Sequence, residues 1–218
     1  MNANIGGFRG TSTVDWPNKI VSVIFFNGCK FKCQYCHNAG TLSKSMSYRK
    51  VYDIVVKRKN IIEGVVLSGG EPLLQKNLLQ IINEFNDAGV PVGIHTTGMV
   101  YDRFKEILEH VSWVGFDFKG LYDDYGNIIG NNNVMLIDDI FNSLNLLVQS
   151  NVSYEVRTTP HSLFQDVVYL NKMIDFLLDL GVQNYTIQNR RDLSNRVETS
   201  YNRNQFENAH KFKIFRIR

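Results

Sequence analysis

The sequence is poor in cysteine: three occur in 218 residues, and all of them, Cys29, Cys33 and Cys36, fall within one eight-residue stretch. A disulfide framework spanning the fold is thereby excluded, one thiol is left over in any pairing, and the usage points to a reducing compartment. No run of eighteen apolar residues exists, which argues against a membrane-spanning helix. The amino-terminal MNANIGGFRGTSTVDWP also lacks the basic stretch followed by an apolar one that marks a secretory signal. We therefore expect a cytoplasmic protein with no membrane partner. No repeat, low-complexity tract or Pro/Gly-rich linker divides the chain.

Charge of either sign is also in short supply. A net +3 does not by itself imply nucleic acid, and we expect no nucleic-acid partner. The excess is concentrated: from Arg190 onward eight Lys or Arg face three acids, leaving −2 in the first 189 residues. We expect a domain over residues 1–190 and a basic carboxy-terminal tail over 191–218, either solvated and disordered or contacting an acidic partner.

What is present is 44% hydrophobic and 12% aromatic residues, the balance of an ordinary globular domain. Six short apolar runs read as buried strands: Ile20 to Asn27, Gly64 to Leu67, Val90 to Ile94, Val111 to Phe118, Val152 to Thr158 and Asn184 to Gln188. Segments of helical period lie between them: Ser47 to Lys59 with Ser47 as cap, Leu74 to Ala88 closed by Gly89, Asp102 to Glu109, Ile137 to Gln149, and Val167 to Leu180 closed by Gly181. Strand–helix alternation of this kind means an α/β fold with a parallel sheet covered by helices, either open or curled into a barrel. Leu121 to Asn133 reads as an irregular loop. The unusual segments all follow strand ends, so they collect at one rim.

Cys29-x3-Cys33-x2-Cys36 has metal-ligand spacing. Zinc would want a fourth ligand, and the nearest, His37, is directly adjacent to Cys36. A redox pair of Cys33 and Cys36 leaves Cys29 unused. Three thiolates suit a cubane of four irons and four sulfurs whose fourth iron stays open. Ser68-Gly69-Gly70-Glu71-Pro72 follows the second strand, where paired glycines permit close approach of the backbone to a ligand and a carboxylate could accept from an ammonium.

Taken together, these motifs resemble the radical S-adenosylmethionine (radical SAM) enzymes, whose hallmark is Cys-x3-Cys-x2-Cys with an aromatic, here Tyr35, before the last cysteine. The resemblance covers about Gly7 to Arg191. Cys36-His37-Asn38 is similar to the activating enzymes of glycyl radical enzymes. The lead-in GGFRGTSTVDWPNKIVSVIFFNGC, with SGGEPLLQ, DFKG and YEVRTT, is similar more narrowly to activating proteins of the anaerobic ribonucleoside-triphosphate reductase.

The resemblance implies a partial (β/α)6 TIM-like barrel of parallel strands with outer helices. It implies a [4Fe-4S] cluster on Cys29, Cys33 and Cys36, with S-adenosylmethionine (SAM) on the open iron. Gly69, Gly70 and Glu71 would line the methionyl amino group, and Tyr35 and His37 would lie near the adenine. Thr97 would reach the ribose or methionyl region; Asp117, Lys119 and Arg157 would bind the methionyl carboxylate or orient the sulfonium. His95 stands where relatives often carry an Asp of a monovalent-cation site. An electron from a flavodoxin or ferredoxin would drive SAM cleavage, and the resulting radical would activate a glycine of a partner enzyme.

Plainer roles exist for several of these residues. Asp117 and Lys119 share a strand face and could simply pair, as could Arg157 and Glu155, while Thr97 could cap a turn. Three other functions also remain open: activation of another glycyl radical enzyme of the pyruvate formate-lyase type, radical SAM chemistry on a small molecule, and a non-catalytic iron-sulfur or zinc module.

Overall fold

The computed structural model describes residues 3–33, 36, 45–190 and 197–218. Its strands are β1 (Ile5–Ser12), β2 (Val21–Phe26), β3 (Gly64–Gly69), β4 (Val92–Thr96), β5 (Trp113–Asp117), β6 (Ser153–Thr158), β7 (Asn184–Ile187) and β8 (Ile214–Ile217). They form one sheet in chain order, with β1 antiparallel to β2 and every later pair parallel. The six apolar runs are β2 to β7, the parallel core of a partial TIM-like barrel.

Parallel neighbours need crossovers, and these carry helices α1 (Tyr48–Lys57), α2 (Leu78–Asp87), α3 (Tyr101–Leu108), α4 (Tyr122–Ile129), α5 (Val134–Gln149) and α6 (Val167–Asp179). Gly89 and Gly181 close α2 and α6 with φ of +74° and +92°. Ser47 occupies the cap position of α1 in extended geometry but makes no side-chain capping bond.

Side chains alternate along each strand, so the sheet has two different faces. Ile24 and Phe26 of β2, Val65 and Leu67 of β3, and Val114 and Phe116 of β5 pack outward against the helices in the main core. Val21, Val23 and Val66 face inward with Trp16 and Trp113 in a second, smaller cluster. The two indoles stack with centroids 5.5 Å apart and planes 18° from parallel. Gly93 makes room for them, since a Cβ there would lie 2.8 Å from the Trp16 ring.

Three elements depart from the sequence expectations. β1 (IGGFRGTS) has neither alternation nor β-branched density; its pairing along β2 and the fully buried Ile5 hold it there. Leu121 to Asn133 is not an irregular loop: α4 buries Tyr125, Ile128 and Ile129 at helical spacing, and Gly130 ends it at φ +64°. The surrounding Gly and Asn residues hid that period.

The third departure is the carboxy-terminal segment. β8 pairs with β7 from Asn184↔Ile214 to Ile187↔Ile217, and Arg216 and Arg218 turn inward to pair with Glu155 at 3.1 Å each. Part of the positive excess beyond residue 190 is therefore neutralised inside the barrel rather than presented to a partner. Residues 191–196 lie outside the described part of the chain.

Trp16→Ala should lower the unfolding free energy by about 3–5 kcal/mol, the usual cost of deleting a buried indole. Denaturant titration of the apo-protein measures it, and a loss below about 1 kcal/mol would show that the stacked indoles are not part of the core.

Candidate active site

β2 ends at Phe26, and the chain turns through Asn27 and Gly28 into the cysteine loop. The turn after β3 grips the base of that loop: Gly70 N–H donates to the Phe26 carbonyl and Glu71 N–H to the Gly28 carbonyl, both at 2.8 Å. The approach is so close that a Cβ on Gly70 would sit 1.9 Å from the Gly28 oxygen, and one on Gly69, at φ +111°, would sit 2.3 Å from the Phe26 nitrogen. The paired glycines thus make room first for the cysteine loop. Further out, Lys32 N–H donates to the Ile129 carbonyl at the end of α4, at 2.9 Å.

Cys29, Cys33 and Cys36 are free thiols and all line one cavity of about 320 Å³ at the carboxyl ends of the strands. The Phe31 N–H approaches the Cys29 sulfur at 3.4 Å. Burial pushes the Cys29 thiol up to about 11 and raises that of Cys33, while the Lys119 charge pulls both back. Thiolates here therefore call for a cationic ligand. Among the described residues, no three Cys, His, Asp or Glu side chains converge on a single metal position. Three thiols around one cavity are a donor set that suits a polynuclear cluster, each thiolate on a different iron.

Gly69, Gly70, Thr97, Asp117, Lys119 and Arg157 line the same cavity. Glu71 does not. It is 1% exposed, and its carboxylate accepts from Thr96 Oγ1 at 2.6 Å, Leu73 N–H at 3.1 Å, and Thr97 N–H and Oγ1 at 3.0 and 2.8 Å. Burial raises its pKa against the pull of those donors. It ties the β3 turn to the end of β4 and sits behind the cavity wall. Tyr35 and His37 lie outside the described residues.

The ion pair at the mouth is neither of the two that sequence proximity suggests. Asp117 and Arg157 stand in register across β5 and β6, and Arg157 donates to Asp117 Oδ1 from Nε at 3.0 Å and Nη2 at 2.7 Å. Arg157, then Lys119 and His95, pull the Asp117 pKa down against its burial, so the carboxylate stays charged.

His95 sits between Ser68 Oγ, 3.2 Å from Nδ1, and the Asp15 carbonyl, 2.7 Å from Nε2. Burial first, then the neighbouring Arg157, lowers its pKa to about 4. It is therefore neutral near pH 7, with Nε2–H donating to Asp15 and Nδ1 accepting from Ser68. A guanidinium nitrogen 3.0 Å from the ring makes this a poor place for a further cation.

Asp15, Phe25, Phe31, Ser68, Thr159 and Gln188 also line the cavity, though the sequence reading assigned them no role as individual residues. Thr159 and Gln188 follow the ends of β6 and β7, so the rim rule could have found them. Asp15, in the β1–β2 connection, carried no such signal.

The radical SAM superfamily model matches residues 23–164. A protein of Methanocaldococcus jannaschii, itself provisionally named a glycyl-radical enzyme activating enzyme, is 30% identical over 73% of this chain and 69% of its own. The pyruvate formate-lyase-activating enzyme of Clostridium pasteurianum is 33% identical over 55% of this chain and 54% of its own length. Among solved structures, Streptococcus suis SuiB bound to its precursor peptide SuiA superposes with a TM-score of 0.67 at 11% identity, covering 87% of this chain and 46% of SuiB. The protein anSMEcpe with bound AdoMet gives 0.60 at 18% identity, covering 80% of this chain and 52% of the other. Beyond the archaeal protein, then, the chain spans about half the length of these relatives. With the family model matched over more than half its length and three cysteines around one rim cavity, the chain belongs to the radical SAM superfamily.

Proposed function

We propose that this chain is a radical SAM activating enzyme that generates a glycyl radical on a partner protein, with a [4Fe-4S] cluster and SAM as its cofactors. The observation that carries this is the meeting, in one cavity at the strand ends, of three free thiols, an Asp117–Arg157 pair and the Lys119 cation. The relatives named as glycyl-radical and pyruvate formate-lyase activators supply the reaction class. When bound, the cofactors would supply the redox chemistry: reductive cleavage of SAM by an electron from a flavodoxin- or ferredoxin-type donor, and removal of a hydrogen atom from a glycine Cα of the partner.

The chain's own residues bind and orient. Cys29, Cys33 and Cys36 give three thiolates, one fewer than the irons they hold. Arg157 keeps Nη1, 3.0 Å from His95 Nε2, outside its bonds to Asp117, where it would donate to the methionyl carboxylate, and Lys119 adds a second positive charge. Asp117 uses only Oδ1 on Arg157, leaving Oδ2 for the sulfonium side. Gly69 and Gly70 bring main chain to the methionyl amino group, with Glu71 fixing their turn from behind. Thr97 would line the ribose side; the resemblance assigns Tyr35 and His37, which lie outside the described residues, to the adenine. A glycine suits the reaction because a loop without Cβ enters a narrow mouth.

For the partner, the lead-in to the first cysteine favours the anaerobic ribonucleoside-triphosphate reductase. The pyruvate formate-lyase type is the second reading, favoured by the name of the Clostridium pasteurianum relative. Anaerobically reconstituted protein given dithionite and SAM should yield 5′-deoxyadenosine, and its absence would sink the radical reading. A doublet EPR signal should then appear on co-incubated reductase; intact SAM cleavage with a signal only on a formate lyase would transfer the partner assignment. Cys33→Ala should abolish both the cluster absorbance and SAM cleavage. Arg157→Met should weaken SAM about 10-fold or more, as expected for loss of a charge-assisted hydrogen bond, read as a rise in KM.

A further inference from the structure

Glu155 and Arg157 are two residues apart on β6, so both side chains enter the barrel from the same face. A buried carboxylate beside a guanidinium would ordinarily take it as its counter-charge. Here it does not. Glu155 is 2% exposed, and its Oε1 accepts from Thr186 Oγ1 at 2.6 Å and from Arg216 Nη1 at 3.1 Å, while Oε2 accepts from Arg218 Nη2 at 3.1 Å. Arg157, 5% exposed, turns the other way, to Asp117 and to the Gly115 carbonyl at 3.3 Å.

The carboxylate nearest Arg157 along its own strand is thus filled from β8, the strand supplied by the basic carboxy-terminal segment. Arg218 extends the same set of contacts: its Nη1 approaches the Val14 carbonyl at 3.4 Å, and the next residue, Asp15, accepts from His95 beside Arg157. Arg216 of β8 and Arg218 just beyond it are only about one-third exposed.

We infer that Arg216 and Arg218 are positioning residues for the SAM site: by satisfying Glu155 they leave Arg157 committed to the cavity mouth. The inference rests on the reading of Arg157 as a SAM-contacting group. Without Arg216 and Arg218, Glu155 becomes a buried anion lacking its ion-pair partners, and Arg157, two residues along on the same strand face, is the cation left to answer it. Attraction in this low-dielectric interior would draw the guanidinium down the strand and away from Asp117.

The test compares Kd for SAM by equilibrium dialysis, beside KM for SAM and kcat for 5′-deoxyadenosine formation, in the reconstituted full chain, with cluster absorbance and near-UV circular dichroism confirming the fold of each variant. Arg216→Met with Arg218→Met should raise Kd and KM by about 10-fold with a smaller change in kcat, the signature of lost ground-state binding. Adding Glu155→Gln should return both to within about 2-fold of the wild type, because the competing charge is gone. A merely structural arginine is also rescued by removing its carboxylate partner, so the comparison is made between variants whose cluster absorbance and circular dichroism match the wild type, and an unrescued KM among these overturns the inference. If the double arginine variant does not fold, Arg216→Met with and without Glu155→Gln gives the same comparison with a smaller rise, since Arg218 stays on one carboxylate oxygen. Arg157→Met should raise KM whether or not Glu155 is neutralised; a normal KM there would overturn the assignment of Arg157 itself and the inference with it. A raised KM in Arg157→Met beside a normal one in the variant lacking both Arg216 and Arg218 would overturn the inference alone.

Discussion

Two main-chain hydrogen bonds, from Gly70 and Glu71 to the carbonyls of Phe26 and Gly28, fix where the chemistry can occur. Residues 29–33 and 36, which carry the three thiols, form no helix or strand of their own. The structure supplies an abutment at the base of the cysteine loop, and the spacing there is so tight that only glycine fits at position 70. Glu71 then locks the abutment to β4 through both threonines, 96 and 97. Because Thr97 also lines the cavity, the same carboxylate couples the wall of the site to the root of the cysteine loop.

The interior of the barrel is divided in two. From β2 to β5 it is filled with valines and the two stacked indoles, an apolar floor beneath the site. On the β6–β8 side it is a chain of charges and hydrogen bonds: Asp117 with Arg157, and Glu155 with Thr186, Arg216 and Arg218. Buried charges survive only when paired, and here every partner is assigned. This arrangement keeps a cationic group at the mouth without leaving an orphan charge beneath it.

The parallel core was legible because its strands are buried on both faces and read as continuous apolar runs, as VSVIFF in β2 does. The cysteines, and the residues of β4, β5 and β6 at the rim, were legible because strand ends are where such sites collect. β1 and α4 were not, since glycine and asparagine erased their period and tertiary pairing replaced it. The pairing of Arg157 was misread for a related reason. Sequence shows which residues are near along a strand, whereas Asp117 and Arg216 reach Arg157 and Glu155 across strands, in a register that only the assembled sheet creates.

The stacked indoles have an optical consequence. Trp16 and Trp113 are the only two tryptophans in the chain, and they lie 5.5 Å apart in nearly parallel planes, with Trp113 edge-on to His95 at 5.6 Å. At that distance their transition dipoles interact as a single chromophore. The protein's tryptophan emission, and the tryptophan part of its near-ultraviolet circular dichroism, therefore originate in one spot, the barrel floor beneath the site, and the molecule carries its own spectroscopic gauge of whether that floor is intact.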